Sequence, residues 1–171
     1  MPRYMLDTNV FNHVLDGKVD ASQLVGKDLV TTHVQHDELQ KTKDETRRRS
    51  LLAVFQELTP DQAVTASAVA DVSVADGASA SGSQIVPTES MVWDVSNWDQ
   101  AKWGADDGIF EAMRSELDAL NKRKKNNAHD ILIAETAVKN GWNLVTSDSD
   151  LVAVVTKYGG ACISAAELGA A

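Results

Sequence analysis

The chain has little of what marks a secreted or membrane protein. Its 171 residues include one cysteine, so no intrachain disulfide can form and a reducing compartment is expected. No run approaches the roughly 18 consecutive apolar residues of a membrane span. Residues 1–7 lack the basic stretch and long apolar core of a secretory signal peptide. The sequence therefore predicts a cytoplasmic protein with no membrane partner.

Positive charge is also scarce. The chain has 16 Lys and Arg residues against 25 Asp and Glu residues, which gives a formal net charge of -9. Taken alone, this balance argues against a nucleic-acid partner. Hydrophobic residues make up 43% and charged residues 24%, as in an ordinary globular protein, and the length predicts a single domain over 1–171.

Short apolar segments alternate with amphipathic ones along most of the chain. Strands are predicted at 3–6, 28–32, 143–146 and 161–163. Helices are predicted from Thr8, over 33–43, 44–58, 105–123, 128–140 and 150–158, and after Ser164. Because strands joined by helices lie parallel, this order predicts an α/β fold with helices on both faces of a parallel sheet.

Residues from about 61 to 104 break this pattern. They are rich in Ala, Ser, Thr, Val and Gly, and we interpret them as an insertion within the domain. Apolar alternation over 64–74 and a second short apolar run at 91–95 predict an added β-hairpin. Three tryptophans fall in this segment, namely Trp93, Trp98 and Trp103. They are interpreted either as a small satellite core or as a stacking platform for bases.

Four acidic residues occupy particular places in the pattern. Asp7 ends the first predicted strand, and Asp148 follows the strand at 143–146. Glu38 and Asp130 lie in predicted helices. In an open α/β sheet the ligand crevice lies at the carboxyl ends of the strands. Asp7 and Asp148 belong at that edge, and the two helical carboxylates can face it from above.

Such a cluster of negative charge is costly. Two unit charges about 4 Å apart repel by roughly 4 kcal/mol at an effective dielectric of 20, against a total stability of about 5–15 kcal/mol. A bound divalent cation removes this cost, and hard oxygen ligands select Mg²⁺ or Mn²⁺. The chemistry that fits is metal-assisted hydrolysis of a phosphodiester. Since two such ions would offset four negative charges, the net charge does not exclude RNA.

Each acid taken alone also has a purely structural explanation. Asp7 can cap the helix that starts at Thr8, and the dipole of its helix can favour Asp130. Glu38 can be a solvated helix residue, and Asp148 can be a turn residue. The combination and order of the four acids favour a metal site.

Four segments carry a resemblance to a known family. They are Leu6-Asp7-Thr8-Asn9, Glu38-Leu39, Asn127-Ala128-His129-Asp130-Ile131-Leu132-Ile133-Ala134 and Leu144-Val145-Thr146-Ser147-Asp148-Ser149-Asp150-Leu151. Together they resemble the PIN-domain nucleases, and most closely the VapC-type ribonuclease toxins of bacterial type II toxin–antitoxin pairs. The resemblance covers about residues 1–58 and 126–171 and leaves out the middle of the chain.

The resemblance implies a fold and a reaction. The fold is a PIN-like central parallel sheet flanked by helices, an α/β/α sandwich. The activity is that of a Mg²⁺- or Mn²⁺-dependent endoribonuclease acting on single-stranded or loop RNA. Asp7, Glu38, Asp130 and Asp148 would form the metal-binding tetrad. A homodimer and a small antitoxin protein that covers the active-site groove are implied as well.

Neighbouring residues take supporting roles by the same resemblance. Thr8 and Asn9 would orient Asp7, and Thr146 would hold a water or the substrate near the metal. Asp150 matches a further acidic position and would help to bind a second metal ion.

Two features depart from the family pattern. Glu38 and Asp130 are 92 positions apart, wider than in a compact member, and the excess falls in the insertion at about 61–104. Three roles are open to that insertion: covering the groove, extending the dimer surface or gripping RNA. Asp37 stands beside Glu38, and because successive helix residues point about 100° apart, only one of them can face the crevice well. Glu38 is the choice here, and Asp37 is the alternative.

Two other functions stay open from the sequence. The same acidic residues would serve a solitary nuclease that acts on DNA or structured nucleic acid. A non-catalytic PIN-fold module would keep the acidic pocket and bind RNA or protein without cleaving it.

Several further residues have more than one interpretation. Arg47-Arg48-Arg49 and Lys122-Arg123-Lys124-Lys125 are dense basic clusters, open either as solvated faces or as phosphate contacts. We expect His129 to be a hydrogen-bonded structural histidine rather than a proton carrier. Glu135 is left out of the ligand set, and Cys162 is expected to be a buried, inert thiol.

Overall fold

A parallel β-sheet occupies the centre of the molecule. The computed structural model describes residues 1–59, 61–67 and 108–170. In this part of the chain the sheet has four strands, all parallel, in the order β2-β1-β3-β4. The strands are β1 (Arg3–Leu6), β2 (Asp28–Val30), β3 (Asn143–Val145) and β4 (Ala161–Ile163). Strands β1 and β3 are the central pair, with Met5 opposite Leu144.

Helices connect and flank the strands. They are α1 (Thr8–Leu15), α2 (His33–Gln40), α3 (Glu45–Leu58), α4 (Ile109–Asn121), α5 (Asn127–Asn140), α6 (Ser149–Lys157) and α7 (Ala165–Ala170), with a 3-10 turn at Ala21–Gln23. Helix α2 stops at Gln40, earlier than predicted. Over the described ranges, no helix combines the length and the apolar character needed to cross a membrane.

The ends of the elements follow from local hydrogen bonding. Strand β2 stops at Val30, two residues before the predicted end, because Thr32 is the N-cap of α2. The Thr32 hydroxyl accepts the N–H of Val34 at 3.2 Å, and the Gln35 side chain accepts the N–H of Thr32 at 2.9 Å, which completes a capping box. Gly141 ends α5 with a φ of 68°, a left-handed conformation that glycine adopts without strain.

The sheet buries both of its faces. Met5 and Leu144 pack on one side with α4, α5 and α6. Leu6 and Val145, the next residues along the two strands, pack on the other side with α1, α3 and α7. Because successive strand residues face opposite ways, an unbroken apolar run is typical of a strand covered on both sides. The predicted α/β fold with helices on both faces is confirmed.

Residues 61–67, which follow α3 in the chain, pack between the end of β2 and α5. The N–H of Ala63 donates to the carbonyl of Thr31 at 2.7 Å, and the N–H of Ala66 donates to the hydroxyl of Thr136 at 3.0 Å. Only residues 64–67 of the first predicted hairpin strand are described, and they form no continuous strand. The rest of that hairpin and the three tryptophans of the insertion lie outside the described residues.

A matched pair of leucines tests this arrangement of the core. Leu144 is fully buried at the centre of the sheet, whereas Leu120 on α4 is 52% exposed. We expect Leu144→Ala to lower the free energy of unfolding by about 2–5 kcal/mol and Leu120→Ala to change it by less than about 0.5 kcal/mol. Chemical denaturation of both variants measures this, and equal losses would contradict the placement of β3.

Candidate active site

Asp7 lies where β1 ends, at the carboxyl edge of the sheet. The residue is 3% exposed. Asp7 is the N-cap residue of α1, but no capping hydrogen bond of normal geometry is formed by its carboxylate. Its Oδ2 accepts the hydroxyl of Thr146 at 2.8 Å. Burial raises the pKa of Asp7, and the Thr146 hydroxyl and the nearby amides of Thr8 and Asn9 offset part of that rise. Helix capping alone therefore does not explain this acid, because it is also hydrogen-bonded to Thr146.

Thr146 joins the ends of the two central strands. It follows β3 directly, and its Oγ1 donates to Asp7 while accepting the N–H of Asp148 at 3.1 Å. Thr146 is 3% exposed and is not among the residues that line the cleft beside it. Since its one hydroxyl hydrogen is committed to Asp7, the structure places Thr146 as a positioning residue for that carboxylate. The sequence instead suggested contact with water or substrate.

Asp148 holds the start of α6 with one carboxylate oxygen. Its Oδ1 accepts the N–H groups of Asp150 at 2.9 Å and of Leu151 at 3.2 Å. Asp148 is thus the N-cap of α6, which the sequence interpretation of it as a turn residue did not specify, and it also lines the cleft. Asp150, which the sequence suggested as a second metal ligand, is not among the lining residues.

Glu38 reaches the same cleft from α2. Its Oε2 accepts the hydroxyl of Thr8, so the first residue of α1 is tied to α2. Burial raises the pKa of Glu38, an effect that the Thr8 hydroxyl opposes and the charge on Asp7 increases. The neighbouring Asp37 lies 3.6 Å from the ring of His36 and is not among the lining residues. The structure thus brings Glu38, and not Asp37, to the cleft.

Asp130 completes the group from the first turn of α5. Burial, followed by the charges on Asp7, Glu38 and Asp148, raises its pKa to about 8, and Lys124 opposes this rise. Each of the other three acids therefore acts electrostatically on Asp130. The four carboxylates predicted from the sequence are brought together by four different elements.

The cleft that these acids share has a volume of about 650 Å³. It is lined by Asp7, Thr8, Asn9, Asn12, Glu38, Leu39, Lys41, Thr42, Lys124, Lys125, Asn126, His129, Asp130 and Asp148. Asn9 is exposed at the mouth. The lining therefore combines carboxylates with amide, hydroxyl and ammonium groups.

The remaining residues singled out in the sequence have separate environments. His129 lines the cleft, and its buried Nδ1 has no hydrogen-bond partner in the described part of the chain, so the expected structural hydrogen bond is not found at that atom. Burial, with a contribution from Lys41, lowers the pKa of His129. Glu135 is fully buried beside Lys139 at 2.8 Å, away from the cleft. Cys162 is half-buried and not fully buried as expected, and this burial raises the pKa of its thiol to about 11.

Gln35 is a supporting residue that the sequence interpretation missed. It is fully buried, and its Nε2 donates to the carbonyl of Leu6 at 2.8 Å while its Oε1 accepts the N–H of Thr32. This side chain fixes the start of α2 against the residue that precedes Asp7. The signal was present in the sequence, because Thr32 followed by Gln35 is the spacing of a capping box.

The donor set fits a divalent cation of the magnesium type. Carboxylate and amide oxygens are the ligands that such hard cations prefer, and Mg²⁺ usually keeps several of its waters. Over the described residues, however, no group of three or more His, Cys, Asp or Glu side chains is arranged so that it could hold a metal ion, so the fit lies in the chemistry of the donors and not in their present geometry. The mutual repulsion seen at Asp130 is the electrostatic condition that a bound cation would relieve.

Comparisons with known proteins find similar solved structures, of which two are named below. No family model and no curated protein sequence matches the chain. The chain is similar to the solved structure of VapBC2 from Rickettsia felis bound to a DNA fragment from their promoter, with 16% identity, a TM-score of 0.51 and coverage of 95% of this chain and 98% of the other. It is also similar to VapBC-5 from Mycobacterium tuberculosis, with 17% identity, a TM-score of 0.49 and coverage of 96% and 99%.

The first of these structures identifies the fold. The described sheet and helices have the α/β arrangement of a PIN domain, as the sequence motifs suggested. Within that class, the fold is like that of VapC PIN domains, and the similarity extends over nearly the whole of both chains.

The raised pKa of Asp130 predicts how stability depends on pH. A carboxyl with a pKa of about 8 binds its proton more tightly in the folded protein than in the unfolded chain, where the value is near 3.8. The contribution of Asp130 to the free energy of unfolding is therefore largest below about pH 4 and decreases as the pH rises toward 8. In EDTA, the melting temperature of wild type should fall between pH 5 and pH 8 by at least about 3 °C more than that of Asp130→Asn.

Thermal melts of the two proteins in parallel provide the measurement. Millimolar Mg²⁺ or Mn²⁺ should reduce the difference between them, because a cation stabilises the charged carboxylates. The same pH dependence in wild type and Asp130→Asn would show that Asp130 does not carry this charge.

The Thr146 hydroxyl is open to a separate test. Thr146→Val keeps the shape of the side chain but leaves the Asp7 carboxylate without its hydrogen bond, so we expect a loss of about 1–3 kcal/mol in the free energy of unfolding at pH 8. Thr146→Ser keeps the hydroxyl and should recover most of that loss. Denaturation curves between pH 4 and pH 8 check this, because the raised pKa of Asp7 means that the loss should shrink as pH falls. A loss that does not change with pH would show that it comes from packing or from the lost acceptor of the Asp148 N–H, and not from the Asp7 hydrogen bond.

Proposed function

We propose that this chain is a Mg²⁺- or Mn²⁺-dependent endoribonuclease that hydrolyses RNA phosphodiester bonds. The observation that carries the proposal is the convergence of four carboxylates, from the end of β1, from α2, from the first turn of α5 and from the start of α6, on one cleft. Neither helix capping nor ion pairing explains the positions of all four carboxylates. A phosphodiester is the substrate class that most needs a cation between itself and such a surface.

The chain's own residues would prepare the site. Asp7, Glu38, Asp130 and Asp148 would hold the ion, which when bound supplies charge stabilisation at the phosphate and activation of water. Thr146 holds the Asp7 carboxylate in one orientation through its hydroxyl. Fixed ligands matter because small errors in the placement of reacting groups cost large factors in rate.

The biological role we propose is that of the toxin in a type II toxin–antitoxin pair. The likeness of fold to a VapBC structure supports this role. A small antitoxin protein would then be a partner, and the acidic cleft would suit a basic segment of it. A homodimer and a cytoplasmic location complete the proposal, the latter because an RNA substrate and a single thiol suit a reducing compartment.

Conservative substitution of the acids tests the proposed reaction. Asp7→Asn, Glu38→Gln and Asp148→Asn remove one negative charge each and should lower the rate of RNA cleavage in millimolar Mg²⁺ or Mn²⁺ by at least about 100-fold. The estimate is a lower bound, because loss of residues that merely support metal ligands already costs about 10–100-fold. Cleavage of a labelled single-stranded RNA by the purified full chain is the measurement.

Asp37→Asn is the matched control for Glu38→Gln. It removes the same charge from the adjacent position of α2, outside the lining of the cleft, and should cleave RNA within about two-fold of wild type. Wild-type rates in Asp7→Asn or Asp148→Asn would refute the assignment. Cleavage of single-stranded DNA in preference to RNA would favour the DNA-directed alternative, and binding without cleavage by the wild type would favour the non-catalytic one.

A further inference from the structure

Three lysines from two separate segments line the mouth of the acidic cleft. Lys41 is the C-cap residue of α2, and Lys124 and Lys125 lie in the loop between α4 and α5. All three residues are exposed. In the described part of the chain none of them is in an ion pair, although Lys41 acts electrostatically on Glu38 and Lys124 on Asp130.

The backbone of the loop explains why only half of its basic cluster faces the cleft. Lys122 and Arg123 have φ values of 60° and 57°, and they are the only non-glycine residues with positive φ in the described ranges. A left-handed conformation costs an ordinary residue roughly 1–2 kcal/mol. The two residues turn the chain at the end of α4, where Arg123 lies on a separate surface with Asp118. Lys124 and Lys125 follow and line the cleft.

The other basic cluster of the sequence is engaged elsewhere. Arg47 contacts Asp16 at 2.8 Å, Arg48 donates to the carbonyl of Thr42 at 3.2 Å, and Arg49 pairs with an acid one turn away on α3. These arginines support local structure, and none lines the cleft. The lysines are therefore the cations that a ligand in the cleft would meet.

The chemistry of the lining selects the part of a nucleic acid that would be bound. Among its described residues there is no Trp, Tyr or Phe, so this wall offers bases no platform of those three side chains. It offers ammonium groups together with the side-chain amides of Asn9, Asn12 and Asn126. Ammonium groups contact phosphate oxygens, which position a strand without reading its sequence. The side-chain amides bind phosphate and sugar oxygens as well as base edges, and the ring of His129 lies in the same lining. The cleft volume of about 650 Å³ suits a short single-stranded segment.

We propose that Lys41, Lys124 and Lys125 form a phosphate track that holds single-stranded RNA by the phosphates on either side of the bond to be cleaved. The inference rests on the proposed nuclease function and specifies how its substrate is gripped. A polyanion approaching four carboxylates is repelled, and the lysines offset that repulsion where the strand enters. Recognition by this track is tolerant of base sequence.

The salt dependence of RNA binding tests the track. In an Asp7→Asn background with Mg²⁺, binding of a fluorescent single-stranded RNA of mixed sequence is followed by anisotropy between about 25 and 200 mM KCl, a range over which phosphate contacts dominate. We compare the slope of log K against log[KCl], where K is the association constant for RNA, with the slope of the Asp7→Asn parent. It should become shallower by about 0.7 for Lys41→Ala and by about 1.4 for Lys124→Ala combined with Lys125→Ala. Changing the RNA sequence should leave these slopes unaltered.

The same loop supplies the control. Lys122→Asn combined with Arg123→Asn removes two positive charges from neighbouring positions and keeps a residue that tolerates positive φ. The slope should then stay within about 0.3 of the slope measured for the Asp7→Asn parent. An equal change in slope for the two double variants would replace the track with a diffuse basic surface. Absence of RNA binding by the parent at low salt would overturn the track as well.

Failure of the track and failure of the nuclease proposal give different results. If the wild type cleaves RNA but the lysine variants keep the parental slope, the track is wrong and the nuclease stands. If the lysine variants change the slope as expected but the wild type does not cleave RNA, the track is correct and the protein binds RNA without cleaving it. Melting curves of all variants confirm that each is folded before binding is compared.

Discussion

The burial of acidic side chains next to one another at one cleft is the constraint on which the rest of this structure depends. Burial and the neighbouring charges raise the pKa of Asp130 to about 8, a state that a freely moving chain would avoid by separating the acids. Here each acid sits at a strand end, at a helix start or within a helix turn. The packed sheet and helices therefore bear a local cost in stability that a functional site commonly carries.

Side chains between the acids do as much as the acids themselves to fix the site. Thr146 hydrogen-bonds to Asp7 across 139 positions of sequence, and Gln35 ties the start of α2 to the end of β1. Both are buried, and a buried hydrogen bond is costly to leave unmade. Such contacts hold the carboxylates in place without contributing charge, so the site stays organised while its repulsion is uncompensated.

The distribution of charge matters more than its sum. A net charge of -9, taken alone, is unsuited to RNA. Four acids, however, share one cleft with Lys41, Lys124 and Lys125. The basic run at 47–49 is equally prominent in the sequence, but its arginines form hydrogen bonds with nearby groups of the protein. Only a folded arrangement separates cations that support the structure from cations that are offered to a ligand.

The sequence by itself determined the α/β architecture and the four acids, because strand–helix alternation and the placement of acids after strands are local patterns. Tertiary structure brought Glu38, and not Asp37, to Thr8 and to the lining of the cleft. It likewise decided that Thr146 serves Asp7. Contacts between residues distant in sequence depend on packing, and no local pattern encodes which partners will meet.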